Sequence, residues 1–128
     1  MYTISWDNHQ ERVDSIEGVE RLLDHLHECF SKAGPTLVTV ERANGGDSLT
    51  IGLGAEFSVL NFVRGNKNPP YFSSSGGNGA DETISFLFGG QWSEYPLRNA
   101  VPLPVARAAM TRFCETGELS KNVVWEEV

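Results

Sequence analysis

Residues 37–53 read Leu37-Val38-Thr39-Val40-Glu41-Arg42-Ala43-Asn44-Gly45-Gly46-Asp47-Ser48-Leu49-Thr50-Ile51-Gly52-Leu53. Two alternating runs flank a turn. Leu37, Thr39 and Glu41 alternate with Val38, Val40 and Arg42 in a β-branched context that suits a pleated strand. Leu49, Ile51 and Leu53 alternate with Ser48, Thr50 and Gly52, the pattern of a half-buried strand. Between them Asn44-Gly45-Gly46-Asp47 is turn chemistry, because Asn and Gly accept positive φ at low cost. A third run over residues 57–63 holds Phe57, Val59 and Asn61 on one side with Leu60 and Phe62 between them. The three together predict an antiparallel meander.

Upstream the period changes. Ile16, Val19, Leu22, Leu23, Leu26, Cys29 and Phe30 share one helical face. Asp14 or Ser15 can cap this helix, Glu17 and Glu20 suit the positive end of its dipole, and Gly34-Pro35 stops it. Before it, residues 2–6 alternate as a first strand expected at a sheet edge, and residues 7–14 read as a polar turn.

Downstream, Tyr71-Phe72 starts a short strand, and Ser73 to Gly79 reads as a mobile Ser-Gly-rich stretch. Thr83 to Phe88 is a further strand ended by Gly89-Gly90, and Gln91 to Pro96 is an aromatic strand or bulge. Pro104 suits the first position of a second helix carrying Val105, Ala106, Ala109, Met110 and Phe113, closed near Gly117. Val123 to Trp125 forms a last strand or a docked tail. Strands between two helices predict an α+β fold: a mostly antiparallel sheet of about five to six strands, with two helices packed on one face.

A chain of 128 residues with 40% apolar content is enough for one core, and no composition shift divides it. One domain spanning 1–128 is expected. Acidic residues number 17 against 10 basic, a formal net charge of -7. Clustered Lys and Arg for phosphates are missing, which argues against nucleic-acid or anionic-membrane binding and suits a basic protein partner. The first residues lack the basic and apolar regions of a signal peptide, and two separated cysteines do not make a disulfide framework. A cytoplasmic, reduced protein is expected, monomeric before it meets a partner.

No catalytic constellation is visible along the sequence. His25 and His27 point about 200° apart on a helix and cannot share an ion. His25 and Cys29, four apart, can face each other, but a zinc site needs further ligands. Cys29 on the apolar stripe reads as a small buried hydrophobe. No serine sits in a nucleophile elbow. His9 would have to meet Ser93 or Cys114 in space, and Asp81-Glu82 and Glu126-Glu127 read as solvated carboxylate neighbours. Gly76-Gly77-Asn78-Gly79 lacks the Lys of a phosphate loop, and Gly52-Leu53-Gly54 leads into a strand. The expectation is no enzyme, no metal and no cofactor.

What stands out is a set of large aromatic residues at loops and strand ends beside acidic ones: Tyr71, Phe72, Trp92, Tyr95 and Trp125 with Asp81, Glu82, Glu94, Glu126 and Glu127. That is the composition of a protein-binding hot spot. The plainer reading makes Trp125 a plug of the core beside the first helix, and Trp92 a cover for a sheet edge.

The same segments carry a resemblance. Residues 47–54 (Asp-Ser-Leu-Thr-Ile-Gly-Leu-Gly), 69–74 (Pro-Pro-Tyr-Phe-Ser-Ser), 89–96 (Gly-Gly-Gln-Trp-Ser-Glu-Tyr-Pro), 99–102 (Asn-Ala-Val-Pro), 116–119 (Thr-Gly-Glu-Leu) and 125–127 (Trp-Glu-Glu) make the chain similar to the first-numbered immunity-protein family of bacterial polymorphic toxin systems, whose genes often neighbour deaminase-fold toxins. The likeness runs from about residue 6 to the C-terminus. It implies an α+β fold and a protein that binds a cognate toxin, of deaminase fold or otherwise targeting nucleic acid, and blocks its active site or substrate groove. The toxin-binding residues expected on this basis are Tyr71, Phe72, Trp92, Glu94, Tyr95, Trp125, Glu126 and Glu127, facing a basic cleft. The alternative is a regulatory or ligand-sensing module without a toxin partner.

Overall fold

A computed structural model describes residues 1–43, 45–76 and 82–128. The turn position Asn44, the glycine-rich residues 77–79 and Asp81 lie outside the described residues. In chain order the elements are β1 (Tyr2–Trp6), β2 (His9–Val13), α1 (Ile16–Ala33), β3 (Thr36–Arg42), β4 (Ser48–Leu53), β5 (Phe57–Ser58), β6 (Leu60–Val63), β7 (Phe72–Ser75), β8 (Thr83–Phe88) and β9 (Gln91–Pro96). A 3-10 turn (Leu97–Asn99), β10 (Val101–Pro102), α2 (Leu103–Thr116) and β11 (Val124–Glu127) complete it.

The α+β class holds, with a larger sheet than expected. Among the described residues nine strands join in it: a path β11-β7-β6-β4-β3-β1-β2, plus the hairpin β8–β9 attached through β3. The meander is present, with Val38 opposite Ile51 and Thr50 opposite Asn61. Along the path every pairing is antiparallel, and the single parallel bridge joins Thr36 to Leu87.

Both helices cover one sheet face. Val19, Leu23, Leu26 and Phe30 of α1 and Ala106, Ala109, Met110 and Phe113 of α2 bury against Ile4, Val38, Val40, Leu49, Ile51, Leu60 and Phe62. Ser15 is the cap of α1, its Oγ accepting from the Gly18 N–H at 3.0 Å. At the other end the Gly34 N–H donates to the Phe30 carbonyl. Gly117 closes α2 in the left-handed conformation (φ 76°), with the Arg42 guanidinium lying where a side chain would go.

Several expectations are corrected. Residues 9–13 are strand, not turn: β2 hydrogen-bonds along β1, so β1 lies inside the sheet and β2 at its edge. Its residues His9 to Arg12 are all exposed, which is why no apolar alternation announced them. The serines of β7 are not a loose stretch. Ser73 and Ser74 are buried between β6 and β11, and Ser74 Oγ accepts from the Leu60 N–H and donates to the Asn99 carbonyl. The run 57–63 is two strands, β5 pairing with β10 and β6 with β4. Helix α2 starts at Leu103, so Pro104 takes its second position. Cys29 is exposed rather than buried.

The join between α1 and β4 depends on one glycine. Gly54 has φ 106°, and a Cβ there would stand 2.9 Å from the Phe30 backbone. Its N–H donates to His27 Nδ1 at 2.9 Å. Gly54→Ala is therefore expected to destabilise the protein by about 1–3 kcal/mol. Urea unfolding measures this; an unchanged midpoint would show that the backbone relaxes freely.

Cys114 is buried under the helical layer, and burial pushes its thiol up to about 11 from an ordinary 9.0, with Arg42 opposing. A raised folded-state value favours the folded protein fully below pH 9.0, because the unfolded chain loses this proton first. Stability should fall as pH rises from about 9 towards 11. The part of that slope due to the thiol should vanish in Cys114→Ala. Equal slopes for the two proteins in alkaline denaturation would contradict the assignment.

Candidate functional site

The hairpin β8–β9 crosses the sheet face that the helices leave open. Its turn is Gly89-Gly90, with φ 59° and 81°. Both positive values suit the two-residue turns that match the twist of a hairpin, and glycine adopts two in succession with no Cβ penalty. The register runs from Thr83 opposite Pro96 to Phe88 opposite Gln91.

Period two sorts its side chains. On the inner side Phe86 is fully buried against Leu37 and Val59, with Ile84 and Tyr95 packed around. The Phe86 and Tyr95 rings meet edge to face with centroids 6.4 Å apart. Burial raises the Tyr95 phenol above its ordinary 10.0, and the neighbouring Asn61 side chain acts the other way. Phe88, on the same side but beyond the cluster, is 58% exposed. On the outer side Trp92 sits opposite Leu87 and is 61% exposed, and exposed Glu94 follows two residues on. One pre-set hairpin thus presents two large aromatic side chains to solvent.

Beside it the open sheet face is polar. Gln10, Ser5, Thr39, Thr50, Asn61, Ser73 and Glu126 are successive register partners across seven strands. The hydroxyls of Thr39 and Thr50 lie 2.8 Å apart. Where this row passes beneath the hairpin, Leu37, Thr50, Asn61, Phe88 and Tyr95 line a pocket of about 190 Å³.

Of the eight residues singled out from sequence, the structure brings Trp92, Glu94 and Tyr95 together on the hairpin. The other five lie at the β7–β11 end of the sheet, mostly engaged by the chain's own groups. Phe72 packs on Phe62, with centroids 6.4 Å apart. Half-buried Trp125 packs against the helix-side core, and its indole N–H donates to the Ser120 carbonyl at 2.9 Å. The Tyr71 hydroxyl donates to the Lys67 carbonyl. Glu126 accepts from Asn99 Nδ2 at 2.7 Å and has Arg98 3.8 Å away. Glu127 is exposed. Sequence reasoning missed Phe88, read as one more strand residue. Its place directly before Gly-Gly was the signal, since the last residue before a two-residue turn stands at the hairpin tip.

The candidate catalytic groups stay apart. Exposed His9 stacks on Trp6 with centroids 5.5 Å apart, whereas Cys114 is buried beneath the Tyr2 hydroxyl, which donates to its carbonyl. Cys29 Sγ lies 3.7 Å from His25 Nε2 on the exposed side of α1. Among the described residues no three His, Cys, Asp or Glu side chains gather as a metal site, and no helix is long and apolar enough to cross a membrane. A broader groove of about 550 Å³ runs past His27, Ser31, Gly54, Ala55, Glu56, Leu103 and Pro104, where α1 meets the start of α2.

A scaffold with one face closed by helices and a rigid aromatic hairpin across the other has the form of a protein-binding domain. The model of the family described as Immunity protein Imm1 matches residues 7–127, and the chain belongs to that immunity-protein family. No curated protein matches it. Family membership brings a toxin-neutralising role and a cognate toxin as partner.

Proposed function

We propose that this immunity protein neutralises its toxin by direct binding through the β8–β9 hairpin and the flanking sheet face, which occlude the toxin's active site or substrate groove. The observation that carries this reading is the pair Phe88 and Trp92, 58% and 61% exposed near the tip of a hairpin that Phe86 fastens into a core. Exposed aromatics on a rigid element lose little entropy on binding and are the usual anchors of tight interfaces. The toxin on this reading acts on nucleic acid, as a deaminase-fold toxin does, and offers a basic cleft. The net charge of -7 suits such a cleft. Glu94 is exposed on the hairpin and available to stand where a phosphate would, while Glu126 is tied to Asn99 and Arg98 and Glu127 shares the helix-side register of Phe72. The protein works in the cytoplasm as a monomer until it meets the toxin.

The test is co-expression of the neighbouring gene's C-terminal domain with and without this protein in a sensitive host. Rescue of growth and co-purification at one-to-one stoichiometry are expected. Toxicity that persists, with no complex recovered, would sink the reading. The groove beside His27 supports the second reading, a ligand-sensing module. That reading predicts a melting shift with small molecules in the absence of any toxin.

A further inference from the structure

The pocket beneath the hairpin has a chemistry that selects its occupant. Phe88 and Tyr95 give its lining aromatic character, Leu37 is its aliphatic member, and Thr50 and Asn61 are its polar ones. At about 190 Å³ it has room for one large side chain. A purely aliphatic occupant would strip water from the Asn61 amide and the Thr50 hydroxyl without replacing their hydrogen bonds, which disfavours it. An anion finds no cation among these lining residues and meets a protein of net charge -7. A guanidinium answers each part. Its plane stacks on an aromatic face, its methylene stem lies along Leu37, and its fixed N–H groups reach the two acceptors. Glu41, exposed and on the same face of β3 as Leu37 and Thr39, adds negative charge farther along the strand.

We propose that this pocket receives an arginine side chain of the toxin, so that the hairpin aromatics and the polar sheet row together read one basic residue of the partner. The proposal rests on the toxin-binding reading above and deepens it. It separates the partner's contribution into apolar contacts at Trp92 and one charge-bearing contact beneath Phe88.

Two measurements test it. The first uses the free full-length protein, titrated with Nα-acetyl-arginine amide and separately with Nα-acetyl-norleucine amide, and followed by amide NMR shifts. Saturable shifts at Asn61, Phe88 and Tyr95 with the arginine probe, absent with norleucine, are expected. No shift with arginine, or equal shifts with both, overturns the pocket's assignment. The second compares toxin affinity of the wild type with Asn61→Leu and Asn61→Asp, each checked for an unchanged melting temperature. A loss of about tenfold or more is expected for Asn61→Leu, as for a hydrogen bond to a charged group. Asn61→Asp should bind at least as tightly as wild type at low salt, with a steeper salt dependence. Unchanged or tighter binding by Asn61→Leu overturns the proposal while leaving the toxin reading intact. Arginine shifts in a protein that binds no neighbouring toxin do the opposite: the pocket stands and the toxin reading falls.

Discussion

Trp92→Ala lowers affinity for the toxin by at least about 2 kcal/mol, roughly 30-fold, and leaves the melting temperature close to that of the wild type. The two halves of this expected result have separate causes. Trp92 is 61% exposed, so its truncation removes little from the folded monomer. Its indole rests beside Leu87 and Gly34, and these contacts are at the surface. In a complex the same ring would bury most of its remaining area on a hairpin that needs no reordering, the situation in which single aromatic residues dominate binding. Calorimetric titration with the toxin domain, alongside thermal melts, checks both halves. Normal affinity in a normally folded mutant would move Trp92 to the role of a sheet-edge cover and shift attention to the groove beside His27.

Phe86→Ala has the opposite signature. Phe86 is fully buried, and a Cβ on Gly52 would collide with its ring, so the sheet is hollowed at that point to receive it. Truncation leaves a cavity in a cluster whose other buried members, among the described residues, are Leu37 and Val59. A loss of about 3–5 kcal/mol is expected. That is a large share of the stability of a domain this size. The loss should also be localised. The hairpin is held by one β-bridge at Thr36, the Leu87 N–H to Pro35 carbonyl bond and this cluster, so its amides should exchange faster than those of β3 and β4. Toxin binding should fail with it, because the aromatics lose their platform. A mutant with near-normal stability would show that the hairpin is fastened elsewhere.

How far the sequence could be read depended on how local each signal was. Helix α1 was legible because its apolar stripe, its Ser15 cap and its Gly34 stop all lie within a few turns of one another. β3, β4 and β8 were legible for the same reason, whereas residues 91–96 read equally as strand or bulge, so their pairing with β8 across Gly89-Gly90 was not. β2 was not, since an edge strand with four exposed residues carries no alternation. β7 was not, because Ser73 and Ser74 are buried through hydrogen bonds and pairing with β11, about fifty residues away in sequence. Composition alone makes such a segment look loose. The aromatic-acidic clusters were visible as a set, but the faces they occupy follow from register. Trp125 lies opposite Ser74 and Phe72 on the register of Glu127, which directs the two large rings towards the helix-side core. Register between distant strands is not written in either strand by itself. Cys29 kept the spacing of the stripe, but it lies at the stripe's border, where the side chain reaches solvent.

The separation of the small hairpin cluster from the helix-side core bears on how such a protein changes over time. Substitutions at well-separated sites that share no partners add in their effects. The exposed hairpin residues Phe88, Trp92 and Glu94 can therefore be exchanged to follow a drifting toxin while Phe86, α1, α2 and the inner sheet face hold the molecule together. A new specificity would need only the hairpin's outer residues and the lining of one pocket to change. Lineages facing different toxins should then differ most in a short segment mounted on a nearly constant frame, and grafting that segment between relatives should carry partner choice with it.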